Sequence, residues 1–354
     1  MARGQWSDVG ALGRGLVLAV ACAAVAACGS SSDGRGAALM DASPGDTGKG
    51  LPDGAVADSG ASRDSGASTD SGAPMDAGGA DARPPTDGGS VGSWWRPGTG
   101  VLPWQWELDH EIVTTSAADM GTGDTTYTGD AAADPAVYDI DGFDNTAADV
   151  AALHALGKKV ICYIEIGAAE SYRPDYAQFP AADLGSAVPD YPQEKYLNID
   201  DAAVVTIIEA RIAMCEQKGF DGIEPDIDDS YTDPTGFTIS EADNVAYIAS
   251  LSTYAHSLGI AWGLKNGGDG GDPATFIADV LPSVDFAVVE EPFYLGTIGS
   301  FEPMLASAGI GMFVAEYTND TTSSSSFCPM AIADGTNAAL FDVALDGKVR
   351  DPCQ

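Results

Sequence analysis

From residue 94 onward, short apolar runs alternate with longer stretches whose apolar residues recur every three or four positions. The short runs predict strands at 104–108, 137–140, 160–166, 196–200, 222–225, 261–264, 286–290, 311–316 and 339–345. The longer stretches predict helices at 146–156, 202–218, 240–258, 272–281 and 300–308. The second is the clearest: Val205, Ile208, Ile212 and Cys215 share one stripe, and Gly219 stands where the helix should stop. Strands alternating with helices over about 250 residues imply a parallel sheet. The strand count is near eight, and no Gly-x-Gly-x-x-Gly follows the first strand. A single (β/α)₈ TIM-like barrel over residues 93–354 is therefore expected in preference to a doubly wound nucleotide-binding sheet.

The pattern is absent before residue 93. Residues 1–28 carry Arg3 and Arg14 ahead of an apolar run from Leu16 to Ala27, too short to span a bilayer. The run ends in Val25-Ala26-Ala27-Cys28-Gly29, which looks like a bacterial lipobox with Cys28 as the lipidated residue. A signal peptide, an acylated Cys28, a membrane held through that N-terminal lipid and a place in the bacterial cell envelope are expected. Residues 29–92 are nearly all Gly, Ala, Ser, Asp, Pro and Thr, with Asp-Ser-Gly-Ala repeating at 58–61, 64–67 and 70–73. Such a composition cannot offset ordering entropy, so a disordered tether is expected. Gly88-Gly89-Ser90-Val91-Gly92 fits the Gly-x-Ser-x-Gly hydrolase pattern, but it lacks the flanking strand and helix and is set aside.

Charge narrows the partners. The chain holds 16 Lys+Arg against 53 Asp+Glu, a formal charge of −37. Residues 93–354 hold 42 of those acids and 10 of the bases, so the excess lies in the predicted barrel. A nucleic-acid partner is excluded by the lack of basic surface. With three His, a His-rich metal centre is unexpected, and neither a metal nor another cofactor is expected. The loops Asp226-x-Asp228-Asp229…Asp233 and Asp269…Asp272 are oxygen-rich, but neither has EF-hand spacing. The barrel is expected to be a monomer.

In barrels, chemistry gathers where strands run into the following loops. Here those places are acidic: Asp139 and Asp141, Glu165, Glu224 and Asp226, Glu290 and Glu291, and Glu316, with Lys265-Asn266 closing the strand between. Clustered carboxylates with aromatics and almost no His suggest glycoside hydrolysis, which needs one carboxylic acid for the leaving oxygen and a second carboxylate on the other face. Trp104, Trp106, Trp262 and Tyr231 are candidate flat faces for sugar rings, and each is equally suited to core packing.

These motifs resemble the endo-α-1,4-polygalactosaminidase family of glycoside hydrolases, family 114, built on a TIM-like barrel. The resemblance runs through Trp104-Gln105-Trp106-Glu107-Leu108, Tyr138-Asp139-Ile140-Asp141-Gly142-Phe143-Asp144, Val160-Ile161-Cys162-Tyr163, Gly167 to Glu170, and Arg173-Pro174-Asp175. It continues with Gly219-Phe220-Asp221-Gly222-Ile223-Glu224-Pro225-Asp226, Thr235-Gly236-Phe237, Gly263-Leu264-Lys265-Asn266, Asp285-Phe286-Ala287-Val288 with Glu290, and Glu316-Tyr317. It implies endo-cleavage of a galactosamine-containing polysaccharide, with Asp226 as nucleophile and Glu290 as acid/base. It also implies a sugar-binding set of Asp141, Glu224, Lys265, Asn266, Glu316, Tyr317, Trp106 and Tyr163.

The chain departs from the family pattern at Ile227 to Tyr231, at Glu291-Pro292, and at Glu165-Ile166, which leaves Glu165 and Glu291 as rival working acids. A strongly acidic domain suits a cationic polysaccharide substrate. The rival readings are a glycosidase for another amino sugar or neutral polymer, and a surface lipoprotein that binds glycan without cutting it. Cys328 and Cys353 enclose the last strand and are expected to pair. Cys162 and Cys215 are either a second bridge or two small buried residues.

Overall fold

The computed structural model describes residues 93–189, 191–267, 273–319 and 323–354. The leader 1–28 with Cys28, the tether 29–92, and Asp269 and Asp272 lie outside the described residues. The chain begins with β1 (Trp104–Glu107), β2 (Val137–Asp141), α1 (Ala147–Ala155) and β3 (Lys159–Glu165). An insertion follows, made of β4 (Ala168–Glu170), β5 (Leu184–Val188) and β6 (Tyr191–Leu197). Then come α2 (Ala202–Lys218), β7 (Gly222–Asp226), α3 (Glu241–Leu258), β8 (Ala261–Lys265), α4 (Pro273–Val280) and β9 (Phe286–Glu290). The chain closes with α5 (Ile298–Ala308), β10 (Gly311–Tyr317), α6 (Ser324–Asp334), β11 (Asn337–Phe341) and β12 (Arg350–Pro352).

One sheet runs β1-β2-β3-β7-β8-β9-β10-β11-β12. Its first eight strands pair in parallel, and β12 pairs antiparallel with β11. Side-chain and loop bonds close the remaining seam. The Leu108 amide donates to the Leu345 carbonyl at 2.9 Å, and Arg350 Nε donates to the Trp104 carbonyl at 2.7 Å. The architecture is the expected (β/α)₈ barrel, although its first connection carries no α-helix among the described residues and β12 takes the place of a final one.

Period-two alternation divides each barrel strand between two cores. Trp104, Trp106, Ile161, Tyr163, Phe286, Val288, Phe313, Ala315 and Tyr317 belong to the barrel interior. Tyr138, Ile140, Val160, Cys162, Ile223, Trp262, Leu264 and Val314 pack outward with Val150, Leu153, Ile208, Ile212 and Leu251 of the helices. The helices take their ends from local chemistry. Asp201 caps α2 by accepting from the Ala203 amide, Gly219 ends it at φ 92°, and Ser240 with Asp243 forms a capping box on α3. Two disulfides tie helices to the sheet system: Cys162 with Cys215, and Cys328 with Cys353. The second matches the expectation from sequence, and the first decides between the two alternatives left open there.

Three expectations need correction. The run at 196–200 is not a barrel strand. β6 lies in a separate antiparallel sheet, ordered β4-β6-β5, on the connection from β3 to α2. Its Pro192, Gln193, Glu194 and Lys195 stand between Tyr191 and the Tyr196-Leu197 pair, which suits a two-faced ribbon better than a parallel strand buried on both sides. The last parallel strand starts earlier than expected and stops at Phe341. Helix α6 has no strong pattern in the sequence, because three serines open it after the N-cap Ser323 and it contains Pro329, all poor helix formers. Phe327, Cys328 and Ala331 hold it in place by burial.

Candidate active site

The site stands at the C-terminal ends of β7, β8 and β9, on residues that alternate onto the interior face. Lys265, the last residue of β8, is 2 % exposed, and its Nζ lies 3.0 Å from Glu224 Oε1, 3.5 Å from Asp226 Oδ1 and 3.5 Å from Glu290 Oε2. Below it are two aromatic rings, with centroids 4.8 Å (Trp106) and 5.6 Å (Tyr163) from the ammonium. Burial alone would discharge this amine. The charges of Asp226, Glu224 and Glu290 outweigh burial and hold Lys265 well above the usual lysine range, so it stays cationic.

The two carboxylates on either side of Lys265 are held in matching ways. Tyr163 Oη donates to Asp226 Oδ2 at 2.7 Å, and the Ile227 amide donates to Asp226 Oδ1 at 3.0 Å. Tyr317 Oη donates to Glu290 Oε1, and Asn266 Nδ2 donates to Glu290 Oε2 at 3.0 Å. Asn266 also accepts from the Glu290 amide at 2.8 Å, which fixes its amide orientation. Since both carboxylates reach the same ammonium at 3.5 Å, the facing oxygens Asp226 Oδ1 and Glu290 Oε2 are at most 7.0 Å apart.

Backbone strain concentrates here. Among the described non-glycine residues, four have positive φ, and three of them directly follow the site residues: Ile227 at 55°, Asn266 at 50° and Glu291 at 53°. A left-handed β-branched residue is uncommon, costing roughly 1–3 kcal/mol. The strand ends therefore turn sharply at the point where Asp226, Lys265 and Glu290 must project. Gly167 permits the closest packing: a Cβ there would stand 2.0 Å from the Ile227 carbonyl oxygen.

A second layer of acids lies beneath and beside the pair. Asp139 on β2 is fully buried, and burial with the neighbouring Glu224 carboxyl pushes its pKa well up. Glu224 is also raised, chiefly by burial, with Lys265 opposing. Glu165 pairs in register with Asp226, and burial followed by Glu170, Glu194 and Asp226 raises it. Asp228 is raised by burial and Asp229 while its Oδ2 accepts from the Lys265 amide at 3.0 Å.

Of the residues expected from sequence, Asp226, Glu290, Lys265, Asn266, Glu224, Tyr163, Tyr317 and Trp106 come together. Asp141 and Glu316 are engaged elsewhere. Asp141 Oδ1 accepts from the Phe143 and Asp144 amides, both at 2.8 Å, and its carboxylate pairs with Arg173 through Nη1 at 3.0 Å and Nη2. Arg173 also binds Glu170, and Arg211 joins Glu170 to Asp175, so the four form a buried network beside the insertion. Glu316 alternates outward and accepts from the Phe293 and Tyr294 amides at 2.8 and 3.1 Å. Trp104, Trp106 and Trp262 are at most 2 % exposed, and Tyr231 packs on Phe276 at 5.3 Å, so these rings serve packing. Asp139 stands among the strand-end acids read from the sequence but outside the expected catalytic and sugar-binding set, although alternation from Asp141 puts it on the same face.

The structure of Aspergillus fumigatus Ega3 in complex with galactosamine is similar to this chain with a TM-score of 0.62 at 29% identity, covering 72% of this chain and 96% of that one. The glycoside hydrolase domain of Pseudomonas aeruginosa PelA matches at 14% identity with a TM-score of 0.49, covering 69% and 96%. An uncharacterized Deinococcus radiodurans protein is 31% identical over 124 residues, 34% of this chain, and the match spans 40% of that curated relative's length. The model of glycoside-hydrolase family GH114 matches residues 86–354, a span that contains every described strand and helix. The chain belongs to glycoside-hydrolase family GH114.

Proposed function

We propose that this chain is an endo-acting glycosidase that cleaves α-1,4-linked galactosamine-containing polysaccharide, with Asp226 as nucleophile and Glu290 as acid/base. The observation that carries the proposal is the pair of carboxylates bracketing Lys265, each gripped by its own tyrosine hydroxyl and at most 7.0 Å apart across the facing oxygens. That upper bound admits the separation of about 5–5.5 Å used by retaining enzymes and, for these facing oxygens, excludes the part of the inverting range of roughly 6.5–9.5 Å that lies above it. In the first step Glu290 gives its proton to the leaving oxygen while Asp226 bonds to the anomeric carbon and the glycosidic bond breaks. In the second step Glu290 takes a proton from water, the water oxygen bonds to the anomeric carbon, and Asp226 leaves as a carboxylate. Lys265 faces both groups and balances the one negative charge that passes from Asp226 to Glu290 in the first step and back in the second. The galactosamine in the Ega3 complex and the strongly acidic barrel both support an amino-sugar substrate, whose ammonium groups the domain would attract.

The test is turnover by Asp226→Ala in the presence of azide. A nucleophile assignment expects recovered cleavage with a glycosyl azide product of inverted configuration relative to the wild-type product. Azide that changes nothing in a folded, otherwise inactive variant would count against Asp226. We also propose that Cys28 carries lipid and holds the enzyme at the bacterial envelope. Cys28→Ser is then expected to move the protein from the membrane fraction to the soluble one, and unchanged partitioning would refute it.

A further inference from the structure

Two aromatic side chains among the described residues are exposed: Tyr172 at 39 % and Tyr294 at 40 %. Both lie on loops that leave the C-terminal ends of barrel strands. Tyr172 follows β4, just beyond β3, and Tyr294 follows β9. In the sheet order β2-β3-β7-β8-β9-β10, the Tyr172 loop leaves the strand next to β7, which carries Asp226, and the Tyr294 loop leaves β9 just after Glu290.

Each tyrosine is exposed on a backbone that buried charge fixes from beneath. Tyr172 sits between Glu170 and Arg173, which pair at 2.7 Å and are 1 % and 8 % exposed. The Arg173 guanidinium lies 5.2 Å from the Tyr172 ring centroid, and Tyr172 Oη donates to Glu170 Oε1 at 3.2 Å. The Ser171 amide ties the same turn to the Gln193 carbonyl of β6 at 2.8 Å. On the other side, both oxygens of the fully buried Glu316 hold the Phe293 and Tyr294 amides, and the Leu295 amide donates to the Glu291 carbonyl at 2.8 Å. An exposed ring on a mobile loop loses entropy when it binds, whereas a ring held in place loses little. The buried carboxylates Asp141 and Glu316, which do not reach the catalytic pair, thus acquire a role: they hold the loops that present these rings.

We propose that Tyr172 and Tyr294 are sugar-binding platforms on either side of the catalytic pair, taking hexosamine rings of the polymer that flank the one being cleaved. The inference rests on the glycosidase reading for the identity of the polymer. A tyrosine face suits such a ligand twice over, since it covers the apolar C–H face of the sugar and attracts an ammonium group. Two platforms separated by the cleavage site also fit an endo mode, in which the chain extends past both ends of the catalytic centre.

The experiment uses the full chain with Tyr172→Ala, Tyr294→Ala, the double variant, and Tyr→Trp at each position. Two measurements are made on deacetylated α-1,4-galactosamine polymer: KM and kcat for cleavage, and retention on the immobilised polymer in an Asp226→Asn background. Each alanine variant is expected to raise KM about fivefold to tenfold with kcat nearly unchanged. The double variant should elute early, and tryptophan should restore binding. Retention within twofold of the parent for both alanine variants would overturn the platforms, even if the parent cuts the polymer. Retention by the parent that the tyrosine variants lose, without any cleavage, would support the platforms and overturn the glycosidase reading instead. A parent that neither binds nor cuts the polymer would overturn both.

Discussion

At the N-terminal end of the barrel, Trp104, Phe286 and Phe313 fill the interior with ring centroids 5.4 and 6.2 Å apart along the chain of contacts. Gly222 and Gly263 make room for them, since a Cβ on either would come within 2.9 Å of the Phe286 ring. Farther along the same strands the interior carries Glu224, Asp226 and Glu290 around the Lys265 ammonium, and the backbone turns left-handed just after Asp226, Lys265 and Glu290. Burying aromatic surface stabilises the fold, while burying charge and strained backbone does the opposite. One end of the barrel therefore supplies the stability that lets the other hold groups no isolated loop would keep in place.

Substitutions at the two ends should separate activity from stability. The largest effect is expected from Asp226→Asn or Glu290→Gln: at least about 10³-fold loss of turnover, with a melting temperature equal to or above the parent's. A folded variant within tenfold of the parent rate would break the comparison at its centre. Lys265→Met should harm both properties, because it leaves the carboxylates without their counter-charge. Its unfolding free energy is expected to fall by about 3–5 kcal/mol in denaturant titration, and its turnover to vanish. Phe286→Ala should cost a similar ~3–5 kcal/mol while activity per folded molecule stays near the parent's. Equal stability in Phe286→Ala would show that the aromatic end does not bear the fold.

The last prediction concerns pH. Burial lifts Glu107, at the end of β1, to about 8. Burial likewise raises Asp139, Glu165, Glu224 and Asp228. A carboxyl whose folded pKa is raised contributes stability that is full below its unfolded pKa and lost as pH climbs through the folded one. For Glu107 the loss falls between about pH 4.5 and pH 8. The melting temperature should thus decline across that window, and Glu107→Gln should flatten the decline. An identical slope in the variant would assign the pH dependence to other groups.

Much of this was legible in the sequence, for identifiable reasons. The apolar strand runs and the Gly-terminated helices mark the barrel, because parallel strands buried on both faces are uniformly apolar and αL caps favour glycine. Asp226, Lys265 and Glu290 are legible because each ends such a run. What was not legible is which acids at neighbouring strand ends reach one another. Asp141 and Glu316 look equivalent to Asp226 along the chain, yet Arg173 and two loop amides claim them, and those partners lie 32 and 22–23 residues away. The run at 196–200 reads as a barrel strand because Tyr196 to Asp200 taken alone is a short, partly apolar run, whereas the ribbon shows only in the polar Pro192 to Lys195 just before it. Asp139 was readable in principle, by counting two residues back from Asp141, but its partner Glu224 is fixed only by the closed barrel.

The central claim is that Asp226 and Glu290 cleave a galactosamine polymer between them. It is tested most directly by incubating the full chain and its Asp226→Asn and Glu290→Gln variants with deacetylated α-1,4-galactosamine polymer and reading the oligosaccharides by mass spectrometry. A ladder of short fragments from the parent, absent from both folded variants, is the expected result. Intact polymer after incubation with the folded parent, or the same ladder from either variant, would contradict it.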